Sequence, residues 1–292
     1  MRKMGDGKGF ISIESLYRLP SVVALQEAPT VSSKYSFFST MDLIRMLETE
    51  KWLPVLAQEQ KIREVGREGY QKHMIRFRNP ELCRQQLSVG DIFPEIILTN
   101  AHDAKAAYVL MAGFFRLACS NGMIVSEGEF GSIRMRHMGF DPKDVIEASY
   151  KVIQEVPQLT EKIGDYRSIE LKPEEKEIFA ESALALKYDD EVKRDGSSAL
   201  IGDRTFSVPA LLKPIRQQDS DPTLWNTFNT IQEKFTKGNS FERTTRMVNG
   251  KIRQQTKVRE IKGLDENVRV NRGLWHLMER MRELKAGGEM IQ

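Results

Sequence analysis

Apolar and polar residues alternate in short blocks through the first half of the chain, and this pattern predicts β-strands. The clearest blocks lie between residues 94 and 125, where apolar runs are separated by polar turns at 100–103 and 119–122. The Asn121-Gly122 dipeptide is typical of a hairpin turn, because both residues tolerate a positive φ. The segment 70–78 also alternates and places basic side chains on one strand face. We therefore expect an antiparallel sheet of four or five strands.

Helical spacing of apolar residues dominates the second half of the chain. Asp141-Pro142 combines a capping residue with a proline at a first helical position, so it predicts a helix start. Pro157 is expected to bend or end this helix. The other predicted helices cover 40–47, 173–188, 223–237 and 271–284. The expected fold class is α+β, with strand hairpins followed by helices that pack on one face of the sheet.

Turn-forming residues mark two segments with little predicted regular structure. Residues 1–33 are punctuated by Gly and Ser, and residues 189–222 combine Asp-Gly and Pro in the manner of loops. We therefore predict a flexible N-terminal lead-in at 1–33, an α+β core domain at 34–195, and a mostly helical, basic C-terminal region at 196–292.

Composition narrows the class of protein. No apolar stretch approaches the roughly 18 residues that a membrane helix needs, so we expect no membrane partner and a cytoplasmic location. The two cysteines, Cys83 and Cys119, stand far apart, which argues against a disulfide framework. Residues 141–195 carry 9 Lys and Arg against 15 Asp and Glu, whereas residues 241–292 carry 12 against 7. A basic end of this kind indicates either a surface that binds a polyanion or an ordinary solvated helix face.

Two turns contain residues capable of catalysis. His102-Asp103 and Cys119 could supply a base and a nucleophile if adjacent strands brought them together. The same residues also suit turns and strand ends without any chemistry, so an enzyme is the less favoured interpretation. The four histidines are scattered, which predicts no metal site. The chain contains neither a P-loop nor a dinucleotide-binding glycine motif, and no cofactor is predicted.

Basic residues near aromatic ones indicate a nucleic-acid interface. Single-strand binders use cations for the phosphates and flat side chains for the bases. The same cations could equally be solvated surface. The candidate DNA contacts are Arg76, Arg78, Arg116, Arg134, Arg136, Lys251, Arg253, Lys257 and Arg259.

Five short motifs resemble the phage- and plasmid-borne family known as domain of unknown function 932, over roughly residues 34–285. The most specific part of the resemblance comprises Asn100, His102, Asp103, Cys119, Asn121 and Gly122. The supporting motifs are His73-Met74-Ile75-Arg76-Phe77-Arg78, Leu224-Trp225-x-x-Phe228-Asn229-x-x-Gln232-Glu233 and Val270-Asn271-x-x-Leu274-Trp275. The chain departs from the family after His102-Asp103, where Ala104-Lys105-Ala106 replaces a Gly- and Ser-rich stretch.

The resemblance implies an accessory protein of a mobile element. The arrangement of hairpins and a long helix with basic faces also resembles, more distantly, phage single-strand annealing proteins of the RecT, Red-beta and Erf type. That likeness implies ATP-independent binding and annealing of single-stranded DNA by a homo-oligomeric ring or filament. Two alternatives stay open: an enzyme that uses His102, Asp103 and Cys119, and a non-enzymatic factor that binds a host or phage replication complex.

Overall fold

The chain forms two compact units, Met1–Thr160 and Glu161–Gln292. The computed structural model describes residues 2–62, 66–84, 92–116, 121–124, 133–135, 141–238, 242–246 and 252–287. The boundary that the sequence predicts between residues 195 and 196 therefore falls inside the second unit. Long helices accompany antiparallel sheets in the described residues, so the predicted α+β class is confirmed.

The first unit is built on an antiparallel sheet of seven strands. In sheet order β1, β2, β3, β4, β5 and β6 are consecutive neighbours, and β7 pairs with β5 as well. The strands are β1 (Arg2–Met4), β2 (Leu53–Glu59), β3 (His73–Arg78), β4 (Ile92–Asn100), β5 (Tyr108–Arg116), β6 (Asn121–Ile124) and β7 (Ile133–Met135). The order follows the chain, since each strand from β1 to β5 pairs with the next strand in the sequence.

Both faces of this sheet are buried at its centre. Every residue of β3 is buried, although successive side chains point to opposite faces. His73, Ile75 and Phe77 therefore lie on one face, and Met74, Arg76 and Arg78 lie on the other. Alternate side chains of β3 therefore enter two different buried surfaces, and neither face of the strand is exposed to solvent.

Four helices belong wholly or partly to the first unit: α1 (Ile13–Leu16), α2 (Thr40–Thr49), α3 (Pro80–Arg84) and α4 (Pro142–Ser168). Ser39 caps α2, since its hydroxyl accepts from the Asp42 amide, and this confirms the predicted start. Asp141 likewise accepts from the Lys143 amide at the start of α4. Pro157 lies inside α4, which continues to Ser168 instead of ending there.

The N-terminal segment packs against the first unit. Leu16, Leu19 and Val22 have no exposed surface, and β1 pairs with β2. The described part of the predicted lead-in at residues 1–33 therefore contributes a strand and buried side chains to the first unit.

The second unit combines helices with a five-stranded antiparallel sheet. The sheet order is β12, β11, β10, β9 and β8. Its elements are α5 (Pro173–Tyr188), β8 (Lys193–Asp195), β9 (Ser198–Ile201), β10 (Arg204–Ser207), α6 (Val208–Leu212), α7 (Leu224–Lys237), β11 (Glu242–Arg246), β12 (Ile252–Lys257) and α8 (Leu264–Ala286). The segment 189–222, predicted as loop, thus contains three short strands, the helix α6 and a 3-10 helix at Gln217–Asp219.

Candidate functional site

The Asn100–Asp103 motif ends β4 and turns the chain back toward β5. The His102 amide donates to the Tyr70 carbonyl over 3.0 Å, and the Asp103 carboxylate accepts from the Lys105 amide over 3.1 Å. Asp103 also forms an ion pair with Arg67. One backbone hydrogen bond, one hydrogen bond from a backbone amide to a carboxylate and one ion pair therefore fix this turn and hold the motif residues in a defined geometry.

The two motif residues Asn100 and His102 meet His73 and Thr40 in a buried polar cluster. The Thr40 hydroxyl lies 3.0 Å from His73 Nε2 and 3.1 Å from His102 Nε2. Asn100 Nδ2 donates to the same hydroxyl over 3.4 Å. All four residues have no exposed surface. We call these four residues the histidine cluster. It joins the first residue of α2 to the ends of β3 and β4.

One proton arrangement satisfies these contacts with neutral imidazoles. Burial lowers the pKa of His73 to about 4, so this ring is neutral near pH 7. His73 Nδ1 donates to the Gln71 carbonyl over 3.3 Å, which leaves Nε2 to accept the Thr40 hydroxyl proton. The Thr40 oxygen can then accept a proton from His102 Nε2. The tautomers are assigned from this hydrogen-bond geometry.

The geometry does not favour the alternative in which His102 serves as the base of an enzyme. The ring is fully buried, so a substrate bound at the surface cannot contact it. The Asp103 carboxylate is held by Arg67 and by the Lys105 amide. Cys119, the predicted nucleophile, lies outside the described residues. Asn121 and Gly122 belong to β6, opposite Arg116 and Phe115 of β5.

Arg76 and Arg78, predicted as DNA contacts, are buried beside Glu95. Arg76 Nε donates to Glu95 Oε2 over 2.6 Å, and an Arg78 guanidinium nitrogen donates to Glu95 Oε1 over 2.6 Å. Arg78 also donates to the Gly7 carbonyl over 2.7 Å. The side chains of both arginines are less than a tenth exposed. These two residues therefore do not line an exposed groove, because both side chains are buried and pair with one carboxylate on the neighbouring strand.

The remaining predicted DNA contacts fall in three groups. Arg116, Arg134 and Arg253 lie in β5, β7 and β12. Arg136 and Lys251 lie outside the described residues. Lys257 and Arg259 are exposed at the end of β12 and just after it. Within the part of the chain that is described, neither of these two cations forms an ion pair.

The motifs of the second unit hold its core together. Gln232 of α7 donates to Asn271 of α8 over 2.8 Å, and both side chains are buried. Trp275 packs edge-on against Phe228, with ring centroids 6.3 Å apart. These matches to the family are therefore explained by helix packing within the second unit.

Lys234 of α7 is a buried cation that the sequence analysis did not single out. Its ammonium donates to the carbonyls of Ala210 and Leu211 over 2.6 and 2.9 Å, and also to that of Lys213. Burial, followed by the nearby charge of Lys213, lowers the pKa of Lys234 to about 8. The ammonium thus satisfies carbonyls at the end of α6. Its place within a helical pattern gave no signal of this role.

Among the described residues, no group of three or more His, Cys, Asp and Glu side chains is placed to hold a metal ion. No helix within the described ranges is long and apolar enough to cross a membrane. The histidine cluster contains only two such side chains.

Comparison with known proteins identifies a family whose description names no reaction. The family model described as Domain of unknown function (DUF932) matches residues 29–275. The chain is 30% identical to UPF0380 protein YafZ of Escherichia coli (strain K12) over 267 residues, which is 91% of this chain and 89% of that protein. UPF0380 protein YfjQ of the same organism is 30% identical with the same coverage of both chains. No solved structure matches the chain.

Proposed function

This chain belongs to the family described as Domain of unknown function (DUF932), and on that premise we propose that it binds single-stranded DNA and anneals complementary strands without ATP. The proposed setting is recombination in a phage or plasmid, with the protein acting as a homo-oligomer. The observation that carries the proposal is the charge on the β11–β12 hairpin and the segment that follows it.

This segment, residues 241–262, contains seven Lys and Arg against two Glu. We call it the basic hairpin. β12 is the outermost strand of the second sheet among the described residues, so one of its edges has no described strand beside it. Gln255, Lys257 and Arg259 are all exposed there. An extended row of cations and polar side chains matches the spacing of a flexible phosphodiester chain better than a compact charged pocket would.

The proposed interface acts on the DNA backbone. Apart from Glu260, which pairs with Lys262 over 3.3 Å, the exposed described side chains of the basic hairpin are cationic or polar. They supply charge to phosphates without reading base edges. Such contacts leave the Watson–Crick edges of a bound strand available for pairing with a complementary strand. Binding should therefore depend steeply on salt and weakly on base sequence.

The test is anisotropy titration of labelled single- and double-stranded oligonucleotides at two salt concentrations, with the pair Lys257→Glu and Arg259→Glu. If both side chains contact phosphates, the slope of log K against log salt for single strands falls by about 1.4 in magnitude. The control pair is Lys143→Glu and Lys151→Glu, which makes the same charge change at exposed positions of α4. The control should bind like the wild type.

Three outcomes separate the hypotheses. Salt-sensitive binding that only the Lys257 and Arg259 pair weakens supports the interface, and an annealing assay with complementary strands then tests the second half of the proposal. Equal weakening by both pairs refutes this interface, because the effect would follow net charge alone. Absence of binding by the wild type at low salt refutes DNA binding and favours the protein-binding alternative.

A further inference from the structure

The sheet of the second unit has two outer edges whose charges are complementary. β8 and β12 are the outermost strands in its order, and within the described residues neither strand has a neighbour on its other side. We propose that β12 of one copy pairs with β8 of a second copy, head to tail, so that successive copies continue one sheet. The inference rests on the homo-oligomer of the proposed function and supplies its interface.

The pairing of the strands aligns these two edges. One row of paired residues crosses the whole sheet, and it consists of Lys193, Leu200, Thr205, Thr244 and Gln255. Paired residues lie side by side on the same face, so Lys193 of β8 and Gln255 of β12 occupy the two ends of this row. Four successive antiparallel pairings also give β8 and β12 the same direction. A second copy that continues the sheet by translation therefore presents β8 parallel to β12.

The next row on the same face ends in two opposite charges. Side chains alternate between the faces of a sheet, so Asp195 shares the face of Lys193, and Lys257 shares the face of Gln255. Both Asp195 and Lys257 are exposed. In a sheet continued by translation, the Asp195 carboxylate of one copy would lie beside the Lys257 ammonium of the other. The two edges thus match in direction, in face and in charge.

The charges around the edges favour the contact of unlike edges over that of like edges. Residues 189–195, which include β8, carry four Asp and Glu against two Lys and Arg. One of these two cations, Arg194, pairs with Glu177 and Glu181 of α5. The basic hairpin carries seven Lys and Arg against two Glu. Two β12 edges, or two β8 edges, would bring like charges together, and like charges on adjacent strands oppose pairing.

The two edges are too far apart to satisfy each other within one copy. Neighbouring strands are about 4.8 Å apart, so four spacings put β8 and β12 about 19 Å apart along the sheet. A contact between unlike edges of identical copies repeats from one copy to the next, and it closes into a ring or extends as a filament. Because β8 has only three residues, each contact supplies about two or three backbone hydrogen bonds. Assembly should therefore depend on protein concentration.

This interface is compatible with the proposed DNA contacts. Pairing of the edges uses backbone groups, whereas the side chains project from the faces of the sheet. The Lys257 ammonium has three N–H donors, so it can contact both Asp195 of a second copy and a phosphate. Each added copy would extend the row of exposed cations along one face of the continued sheet.

The first test traps the contact as a disulfide between copies, in the absence of DNA. Adjacent strands bring paired Cα atoms about 5 Å apart, which lies within the range that a disulfide spans. The full chain with both Asp195→Cys and Lys257→Cys should therefore give a ladder of dimers, trimers and larger species on a non-reducing gel after oxidation. The control pair Lys143→Cys and Lys151→Cys, at exposed positions of α4, reports chance collisions and should give no such ladder. Wild-type protein reports any contribution from Cys83 and Cys119.

The single variants distinguish the two arrangements. An equal mixture of Asp195→Cys and Lys257→Cys should give dimers only, and each variant alone should match the wild type. Dimers formed by one single variant alone would show that like edges pair, and that result would overturn the head-to-tail arrangement. A ladder no stronger than that of the control pair would overturn the interface.

Sedimentation velocity at rising protein concentration then measures assembly without a cross-link. Asp195→Lys and Lys257→Asp should each lower the association constant by about threefold to tenfold, because each puts like charges in contact. The two changes in one chain should restore assembly, since the exchanged charges attract again. A double variant that assembles no better than either single variant would refute the contact. Both experiments omit DNA, so their failure leaves DNA binding by single copies standing, and a failed anisotropy titration leaves their results unchanged.

Discussion

Glu95 is a carboxylate that the two buried arginines of β3 share. Replacing it tests whether this buried ion-pair network stabilises the first sheet. The change Glu95→Gln keeps the size of the side chain but removes its negative charge. Its carboxylate is fully buried, and Arg76 and Arg78 have side-chain exposures of 7% and 6%. Both buried guanidinium groups would then lose the carboxylate that they contact.

The expected loss is large, because removing one partner of a buried ion pair leaves an uncompensated charge. Such changes cost about 3–5 kcal/mol of unfolding free energy, which corresponds to a fall of roughly 6–20 °C in the unfolding midpoint. Lys51 and Glu81 form an ion pair with side chains 60% and 51% exposed. Glu81→Gln is therefore the matched control, with an expected loss of less than about 1 kcal/mol.

Differential scanning calorimetry and urea unfolding of both variants measure the difference in their unfolding midpoints and unfolding free energies. A third protein carrying Glu95→Leu, Arg76→Met and Arg78→Met should recover most of the loss, since apolar side chains of similar volume carry no desolvation cost. If Glu95→Gln is no less stable than Glu81→Gln, the buried network described for β3 and β4 is refuted.

Two further predictions concern single residues. Burial lowers the pKa of His73 from 6.5 to about 4. The unfolded chain therefore binds more protons between these values, and the unfolding free energy should fall by about 3 kcal/mol as the pH drops from 6.5 to 4. Urea titrations at stepped pH check this, and a wild-type profile no steeper than that of His73→Gln contradicts it. Gly238 has a φ of +65°, and a Cβ there would lie 2.3 Å from the Glu260 amide nitrogen. Gly238→Ala should cost about 2–4 kcal/mol in thermal unfolding, well above Gly202→Ala, whose added Cβ has no neighbour closer than 3.9 Å. Equal losses would refute the clash.

Local signals in the sequence were sufficient to predict the bounds of several helices. The predicted span 173–188 is that of α5, and α7 begins after its Thr223 cap and ends before Gly238. The three strands within 189–222 were missed because each has only three or four residues. At that length, a tight hairpin and a loop share the same Asp, Gly and Ser composition. The start of α8 at Leu264 was also missed, since its first turns carry few apolar residues.

The candidate sites show where local patterns stop being informative. The alternation in β3 correctly indicated a strand, but it could not show that Glu95 stands on the neighbouring strand and pairs with both arginines. The histidines were likewise judged by their sequence spacing, whereas their approach depends on the register that sets His73 opposite Asn100. Pairing between strands depends on residues far apart in the sequence, and no local pattern in a single sequence indicates which strands pair.

The position of α4 determines how the protein can be divided into fragments. The boundary between the two units, at Thr160 and Glu161, falls inside this helix, which runs without interruption from Pro142 to Ser168. A fragment that ended at Thr160 would leave its last four helical carbonyls without partners, and one that began at Glu161 would leave four amides without partners. Expression boundaries should therefore be placed before Asp141 or after Ser168, so that the whole helix stays with one half.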